Sequence, residues 1–230
     1  GHSSVPNQAK VALAAVIAVV IAPVLPPMPS VPLMSWAGLG IIIEQMLIGI
    51  AIGLVMHIMF AVVQAAGEFI GLQMGLAFAS FFDMSSGTNI MVLSRILYMV
   101  TLLMFLAFNG HLMVLETLVM SFETLPIGIG SLNPNAFELL ARYAGTIFAS
   151  GMLLALPLVA SLLIINLSLG ILNRSAPQLT VFNIGFPTSL TVGIVLLMVL
   201  MSDIGSFLQQ LFSQGISFTQ SLIETMAPLN

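Results

Sequence analysis

The sequence predicts an all-α protein whose surface is solvated by lipid or by other apolar subunits. Of its 230 residues, 59% are hydrophobic and only 5% are charged, whereas a soluble domain carries about 25% charged residues. The apolar residues stand in long runs, and no stretch alternates at period two for long enough to indicate a membrane β-barrel. Long apolar runs without that alternation are typical of membrane helices.

The scarcity of charge and the absence of cysteine exclude several kinds of function. The basic residues, Lys10, Arg95, Arg142 and Arg174, are too few to follow a phosphate backbone, so nucleic acid is not a partner. The chain has no cysteine, which excludes disulfides, thiol nucleophiles and thiolate metal sites. We expect no cofactor and no metal.

The first apolar segment, Val11–Ala22, is too short to cross a bilayer, which takes about 20 residues. It is followed by a set of prolines that forbid a helix: Pro23, Pro26, Pro27, Pro29 and Pro32. The segment is either packed in an assembly or the end of a longer element. Because Gly1–Asn7 reads as a loop and not as a signal peptide, we expect an apolar segment to precede Gly1 in the native protein.

The next region, Ser35–Phe82, contains no proline and predicts two helices, or one helix bent near a stripe of small residues. The stripe has a small residue at every fourth position: Gly67, Gly71, Gly75 and Ala79. Glycine inside a helix costs roughly 1 kcal/mol relative to alanine. In an apolar setting, close packing against another helix compensates for that cost, and we assign this stripe to such close packing.

The residues after the stripe change in character. Phe78, Phe81 and Phe82 form an aromatic cluster that runs into the polar, turn-forming segment Asp83–Asn89. A tightly packed helix therefore delivers a short, flexible loop to one defined place. An ordinary interhelical loop is the alternative that these residues leave open.

A second long apolar helix and a shorter helix follow this loop. Met91–Phe108 is apolar, Asn109-Gly110 breaks it, and His111–Phe122 continues as a second helix. Asn133-Pro134-Asn135 then forms a cap region.

The last part of the chain predicts a long helical hairpin. Ala136–Leu172 is interrupted only by Pro157, and as one helix it is about 55 Å long at 1.5 Å per residue. The hydrocarbon core of a bilayer is about 30 Å thick, so we expect protein to cover much of this helix. A polar turn, Asn173–Gln178, separates it from a last apolar helix over Thr188–Met226, softly broken at Ser202-Asp203, Gly205 and Gly215.

Ionisable residues inside apolar helices are candidates for function by default, and the chain has six: Glu44, His57, Glu68, Arg95, His111 and Glu116. None of them forms a pair at metal-ligand spacing, and no Gly-rich phosphate loop follows a strand. Polar contacts between helices or subunits are the favoured role for these residues. We therefore expect no catalytic residue, and hence no enzyme.

Four segments together resemble one protein family. They are GEFIGLQMGLAFASFFD at Gly67–Asp83, AFNGHL at Ala107–Leu112, LPIG at Leu125–Gly128 and LNRSAPQLTVFNIGFP at Leu172–Pro187. In this order they are similar to the FliR/SctT family, the export-gate subunits of flagellar and virulence type III secretion. The chain departs from the family pattern at Met84, where proline is common, and at Thr180, where asparagine or serine is usual.

The resemblance implies a set of partners and a place in the cell. One such subunit joins five FliP-like and four FliQ-like subunits in a closed helical channel, next to an FlhB-like subunit. The channel passes unfolded proteins for export. It would lie at the flagellar basal body of the bacterial inner membrane, in contact with membrane lipid and with much of the assembly on the periplasmic side. On this resemblance, residues 1–134 are a FliP-like part and residues 135–230 a FliQ-like hairpin.

The resemblance also implies that residues 74–90 form a plug in the channel. The plug residues are Met74, Phe78, Phe81, Phe82, Asp83, Met84, Ser85, Ser86 and Gly87. Apolar constrictions resist water and ions by dewetting, so the expected mechanism is steric and hydrophobic gating without chemistry. A virulence-type export gate, a scaffold subunit without a pore role and a small-solute transporter are the alternatives. A transporter would need matched halves with broken helices, which the sequence does not show.

Overall fold

A computed structural model describes residues 6–27, 29–32, 35–76, 92–128, 130, 132–175 and 184–227. Within these ranges the protein is all-α, as the composition and the apolar runs predict, with no strand. The helices are α1 (Asn7–Ile21), α2 (Trp36–Gln73), α3 (Val92–Ala107), α4 (Gly110–Thr124), α5 (Asn135–Tyr143), α6 (Thr146–Ser175) and α7 (Phe186–Met226).

The first helix, α1, is longer than its apolar core suggested. It starts at Asn7, and a 3-10 turn over Ala22–Val24 extends it despite Pro23. The resulting 18-residue stretch is long and apolar enough to cross a membrane, so the prediction that this segment is too short was wrong. Only 6% of the stretch is buried in the protein.

Helix α2 is a single element of 38 residues, which favours one helix over two in this region. Ser35 caps its start, because the Ser35 Oγ accepts a hydrogen bond from the Gly38 N–H at 3.0 Å. The same hydroxyl donates to the Pro32 carbonyl at 2.6 Å. With no proline or other break before Gln73, the helix is about 57 Å long.

Helices α3 and α4 form the bent pair that Asn109-Gly110 predicts, with an angle of 68° between them. Asn109 takes a left-handed conformation with φ of 56°, which asparagine tolerates better than most residues. Gly110 is buried, and a Cβ added there would meet the ring of Phe105. The bend therefore depends on both residues of the dipeptide.

The predicted single helix over Ala136–Leu172 was wrong, because the structure breaks it at Ala144-Gly145 into α5 and α6. The break is a tight turn, in which the Gly145 N–H donates to the Arg142 carbonyl at 3.1 Å instead of to the carbonyl four residues back. Pro157 lies inside α6 without ending it. Helix α6 also continues to Ser175, so the first half of the predicted polar turn is helical.

Helix α7 runs for 41 residues without interruption, so the soft breaks expected at Ser202-Asp203, Gly205 and Gly215 do not occur. Gly215 is buried, and a Cβ added there would meet the side chain of Met59 on α2. Met59 itself is fully buried. This glycine is a packing position rather than a break.

Helix α2 is the centre of the fold and packs against α3, α5, α6 and α7. One buried cluster joins its C-terminal half to α3, α6 and α7, through residues such as Ile70, Leu97, Leu162 and Leu208. A second joins its N-terminal half to α5 and the end of α7, through residues such as Val55, Leu140 and Leu222. Both clusters mix residues 1–134 with residues 135–230. The two predicted parts therefore pack as one body, and their FliP-like and FliQ-like character stays a prediction.

Glycines let other helices approach the backbone of α2 closely. A Cβ added at Gly67 would lie 2.5 Å from Ser94 Cα on α3, and one at Gly151 of α6 would lie 2.9 Å from the Val62 carbonyl oxygen. The close approach at Gly67 brings the Ser94 Oγ within 3.0 Å of the Gln64 carbonyl oxygen, to which it donates a hydrogen bond. Contacts of this kind are typical of helices packed in apolar surroundings.

Four helical stretches within the described residues are long and apolar enough to cross a membrane. They are Asn7–Val24, Trp36–Gln73, Asn135–Ser175 and Phe186–Met226, and the bent pair α3 and α4 makes a fifth if it is counted as one span. The architecture is that of a helical membrane protein.

The packing at Gly67 leads to a testable prediction. We expect Gly67→Ala to destabilise the protein by about 1–3 kcal/mol, because the added methyl group overlaps the backbone of α3. Gly53→Ala is the matched control on the same helix, since a Cβ there meets nothing within 4 Å. The control should be neutral or stabilising by up to about 1 kcal/mol. Thermal unfolding in detergent, with the protein purified together with its co-expressed partner subunits, measures both, and equal midpoints would contradict the prediction.

Candidate functional site

The structure describes the start of the predicted plug but not its tip. Of the plug residues, only Met74 lies within the described ranges. The others lie outside them, as does Ala79 of the small-residue stripe: Phe78, Phe81, Phe82, Asp83, Met84, Ser85, Ser86 and Gly87. The site that can be built from contacts is therefore residues 71–76, where α2 ends, which we call the loop root.

Gly75 ends α2 at the loop root. It has a φ of 81°, a left-handed conformation that glycine adopts without a Cβ penalty. The Gly75 N–H donates to the Leu72 carbonyl at 3.0 Å, and the Leu76 N–H donates to the Gly71 carbonyl at 3.0 Å. This pair of bonds is the Schellman motif. The expected helical stripe therefore extends through Gly67 and Gly71, which are helical and buried, and stops before Gly75.

The last four carbonyls of α2 all have hydrogen-bond partners. The Ile70 carbonyl accepts from the Met74 N–H at 2.9 Å, and the two Schellman bonds occupy the next two carbonyls. The fourth carbonyl, that of Gln73, accepts from the Asn166 Nδ2 on α6 at 3.4 Å. A helix end normally leaves such carbonyls without a partner from the same helix, and here a side chain from another helix completes the set.

Asn166 also contacts α7. Its Oδ1 accepts a hydrogen bond of 2.6 Å from the Oγ of Ser189, which is only 4% exposed. One side-chain amide thus connects α2, α6 and α7. Both contacts agree on the orientation of the amide, because the nitrogen faces a carbonyl acceptor and the oxygen faces a hydroxyl donor.

Met74 is the apolar contact of the loop root. It is 3% exposed, and a Cβ added at Gly193 of α7 would lie 2.7 Å from its Cγ and 3.0 Å from its Sδ. The missing side chain of Gly193 is therefore the space that Met74 occupies. Within the described chain, Met74 is a buried anchor of the segment that follows.

Sequence reasoning identified Met74 but missed Asn166, Ser189 and Gly193. A usable signal existed for Asn166, an amide in the otherwise apolar stretch of α6 from Leu162 to Leu167. A polar group in such surroundings needs a partner. No comparable signal marked Ser189 or Gly193, because serine and glycine recur throughout these helices.

The six ionisable candidates do not converge on one site. Glu44 is half-buried, and the other five are exposed: His57, Glu68, Arg95, His111 and Glu116. In the described ranges the one ion pair joins Glu138 to Arg142 at 2.8 Å on the exposed surface of α5. No group of three or more His, Cys, Asp or Glu side chains in the same ranges could hold a metal ion.

Comparison with known proteins gives the family. Residues 1–215 match the model of the family described as bacterial export proteins, family 1. The chain is 50% identical over 223 residues to the flagellar biosynthetic protein FliR of Escherichia coli (strain K12), covering 97% of this chain and 85% of that protein. It is 47% identical over 211 residues to FliR of Pectobacterium carotovorum subsp. carotovorum, covering 92% of this chain and 80% of that one.

A more distant relative shows the same similarity over almost the whole chain. FliR of Bacillus subtilis (strain 168) is 30% identical over 228 residues, which cover 97% of this chain and 87% of that protein. The relatives named flagellar biosynthetic protein FliR thus agree with the resemblance that the four sequence segments indicate. The chain belongs to the bacterial export proteins of family 1, the family that includes the flagellar FliR proteins.

Proposed function

We propose that this chain is a subunit of a flagellar protein export gate. With FliP-like and FliQ-like subunits it forms a closed helical channel through which unfolded flagellar proteins leave the cell interior. Family membership and the names of the relatives support this proposal. The same names favour the flagellar system over a virulence system.

The loop root is the observation that carries the gating part of the proposal. A Schellman motif, the Asn166 amide and the buried Met74 together fix the end of α2. The chain then enters the segment that contains Phe78, Phe81 and Phe82. An anchored root is what a plug requires, because its apolar tip must be held at one place to block a channel.

The exposed apolar surface of the protein supports the proposal that it needs partner subunits. Many large apolar side chains are exposed, for example Val19 on α1 at 74%, Leu167 on α6 at 67% and Met198 on α7 at 69%. Contiguous surface of this kind marks contact with protein or membrane. We propose that FliP-like and FliQ-like subunits cover part of it, in one assembly of one such chain with five and four of them, next to an FlhB-like subunit. Lipid covers the rest.

The lengths of the helices support a location partly outside the bilayer. Helices α2 and α7 have 38 and 41 residues and are about 57 and 62 Å long, roughly twice the hydrocarbon thickness of about 30 Å. Tilt absorbs only part of such an excess. We place the assembly at the basal body in the bacterial inner membrane, with much of it on the periplasmic side. The chain itself does no chemistry, and the energy for export comes from other components.

The gating proposal predicts that plug and anchor respond differently to substitution. Phe81→Ala with Phe82→Ala removes apolar volume from the plug, so we expect ion leakage through a complex that assembles at normal yield. Gly71→Leu adds bulk to a buried position of the loop root, so we expect a poor yield of complex, with a cost of about 1–3 kcal/mol. Conductance in planar bilayers and the yield of purified complex measure the two effects.

Phe148→Ala is the matched control for the aromatic pair. Phe148 lies on α6 and is 69% exposed, so its loss should leave the complex as tight to ions as the parent. If the double alanine variant assembles normally and remains tight as well, the segment is only a connector and the gating proposal fails.

The partner proposal predicts that the chain does not survive alone. Expressed without FliP-like and FliQ-like proteins, it should aggregate or be degraded, because its apolar surface is left uncovered. Co-expression with both should recover it in one complex. Size-exclusion chromatography in mild detergent distinguishes the outcomes, and a folded, monodisperse monomer would contradict obligate assembly.

A further inference from the structure

We propose that Asn166 is a positioning residue that latches the end of α2 onto the hairpin of α6 and α7, and that this latch opens when the channel opens. The latch consists of Gln73 and Met74 on one side and of Asn166, Ser189 and Gly193 on the other. The inference rests on the proposed function, because it assigns a moving part to that gate.

Asn166 is the group that completes the backbone hydrogen bonding of the loop root. The Schellman motif and the Met74 N–H occupy three of the last four carbonyls of α2, and among the described residues the Asn166 amide is the donor that reaches the fourth. A carbonyl without a partner is costly in apolar surroundings. The end of α2 is therefore held on the hairpin for as long as the Gln73 carbonyl has no other donor.

The two hydrogen bonds of Asn166 differ in strength, which locates the point of separation. The bond from the Ser189 Oγ is short, at 2.6 Å, and lies within the hairpin. The bond to the Gln73 carbonyl is long, at 3.4 Å, and joins the hairpin to α2. Because hydrogen bonds weaken with distance, the bond between Asn166 and the end of α2 breaks before the bond within the hairpin. The amide then stays with Ser189, and α6 and α7 remain joined.

Met74 adds an apolar contact to the same junction. It fills the space left by the missing side chain of Gly193, one helical turn from Ser189 on α7. The contact between Met74 and Gly193 is van der Waals packing, with no covalent bond and no ion pair. Withdrawal of α2 from the hairpin removes Met74 from this space and frees the Gln73 carbonyl together, so the latch opens in one step.

The first experiment weakens the latch in the complete export-gate complex. Asn166→Leu keeps the size of the side chain and removes both hydrogen bonds. Because the bond to the Gln73 carbonyl is the one that joins α2 to the hairpin, we expect its loss to raise the ion leak of the closed complex roughly tenfold. Ser189→Ala removes only the bond within the hairpin and should raise the leak less. Ser168→Ala is the control, because its exposed hydroxyl bonds within α6 to the Ile164 carbonyl.

The second experiment locks the latch with a covalent bond in place of the contact between Met74 and Gly193. The Gly193 Cβ position lies 2.7 Å from Met74 Cγ, so the two Cβ positions are at most about 4.2 Å apart, within the range for a disulfide. Met74→Cys with Gly193→Cys also removes the methionine atoms that would collide with a new side chain. The native chain has no cysteine to compete. We expect oxidation to reduce export at least about tenfold and a reductant to restore it, a reversal that a structural defect would not show.

The outcomes separate the latch from the plug. Export at the parental rate by the fully oxidised pair would overturn the latch, and so would a parental leak in Asn166→Leu at normal complex yield. If Asn166→Leu does not assemble, export by the oxidised cysteine pair alone tests the latch. Each single-cysteine variant, treated with the same oxidant, is its control. If the oxidised cysteine pair blocks export and the Phe81→Ala, Phe82→Ala complex stays tight to ions, the latch is supported and the plug is rejected. If the oxidised pair exports at the parental rate and the double alanine complex leaks ions, the latch is rejected and the proposed function is retained.

Discussion

Close approach to the backbone of α2 is the constraint on which the rest of the structure depends. Two helices come close to that backbone where a side chain is missing, α3 at Gly67 and α6 at Gly151, and the missing side chain of Gly215 on α7 makes room for the Met59 side chain of α2. In lipid the hydrophobic effect does little to drive one helix against another, so contact area and fit must supply the attraction. Each glycine lowers helix propensity, and the dense packing that it permits compensates for this. The continuous buried clusters along α2 follow from these approaches.

The polar backbone groups at the end of α2 are under a similar constraint. A helix that stops inside an apolar assembly must place its last carbonyls without help from water. Here the turn at Gly75 lets two of these carbonyls accept hydrogen bonds from backbone N–H groups. Another carbonyl accepts a hydrogen bond from Asn166, which lies 93 residues further along the chain. The loop root is thus determined jointly by local conformation and by tertiary structure.

The difference between local and tertiary determinants explains which features could be predicted from the sequence. The bend at Asn109-Gly110 and the extent of α7 were predictable, because local turn chemistry and a long apolar run determine them. The turn at Ala144-Gly145 was not, since alanine before glycine carries little turn signal and Pro157 was the more conspicuous candidate. Gly75 was read as part of a helical stripe, because its spacing from Gly71 says nothing about the sign of φ. The partners of Met74 were beyond local reasoning, as they belong to a helix more than a hundred residues away.

The two methionines of α2 that contact glycines on α7 have a mechanical consequence. Met59 meets Gly215, and Met74, the residue that directly follows α2, meets Gly193 nearer the start of α7. Sliding α7 along its axis would drive both methionines into neighbouring side chains at once, and a packed interior resists such overlap strongly. A swing that withdraws only one of them leaves the other as a pivot. The pair of contacts therefore opposes translation of α7 along α2 more strongly than a movement that withdraws Met74 alone.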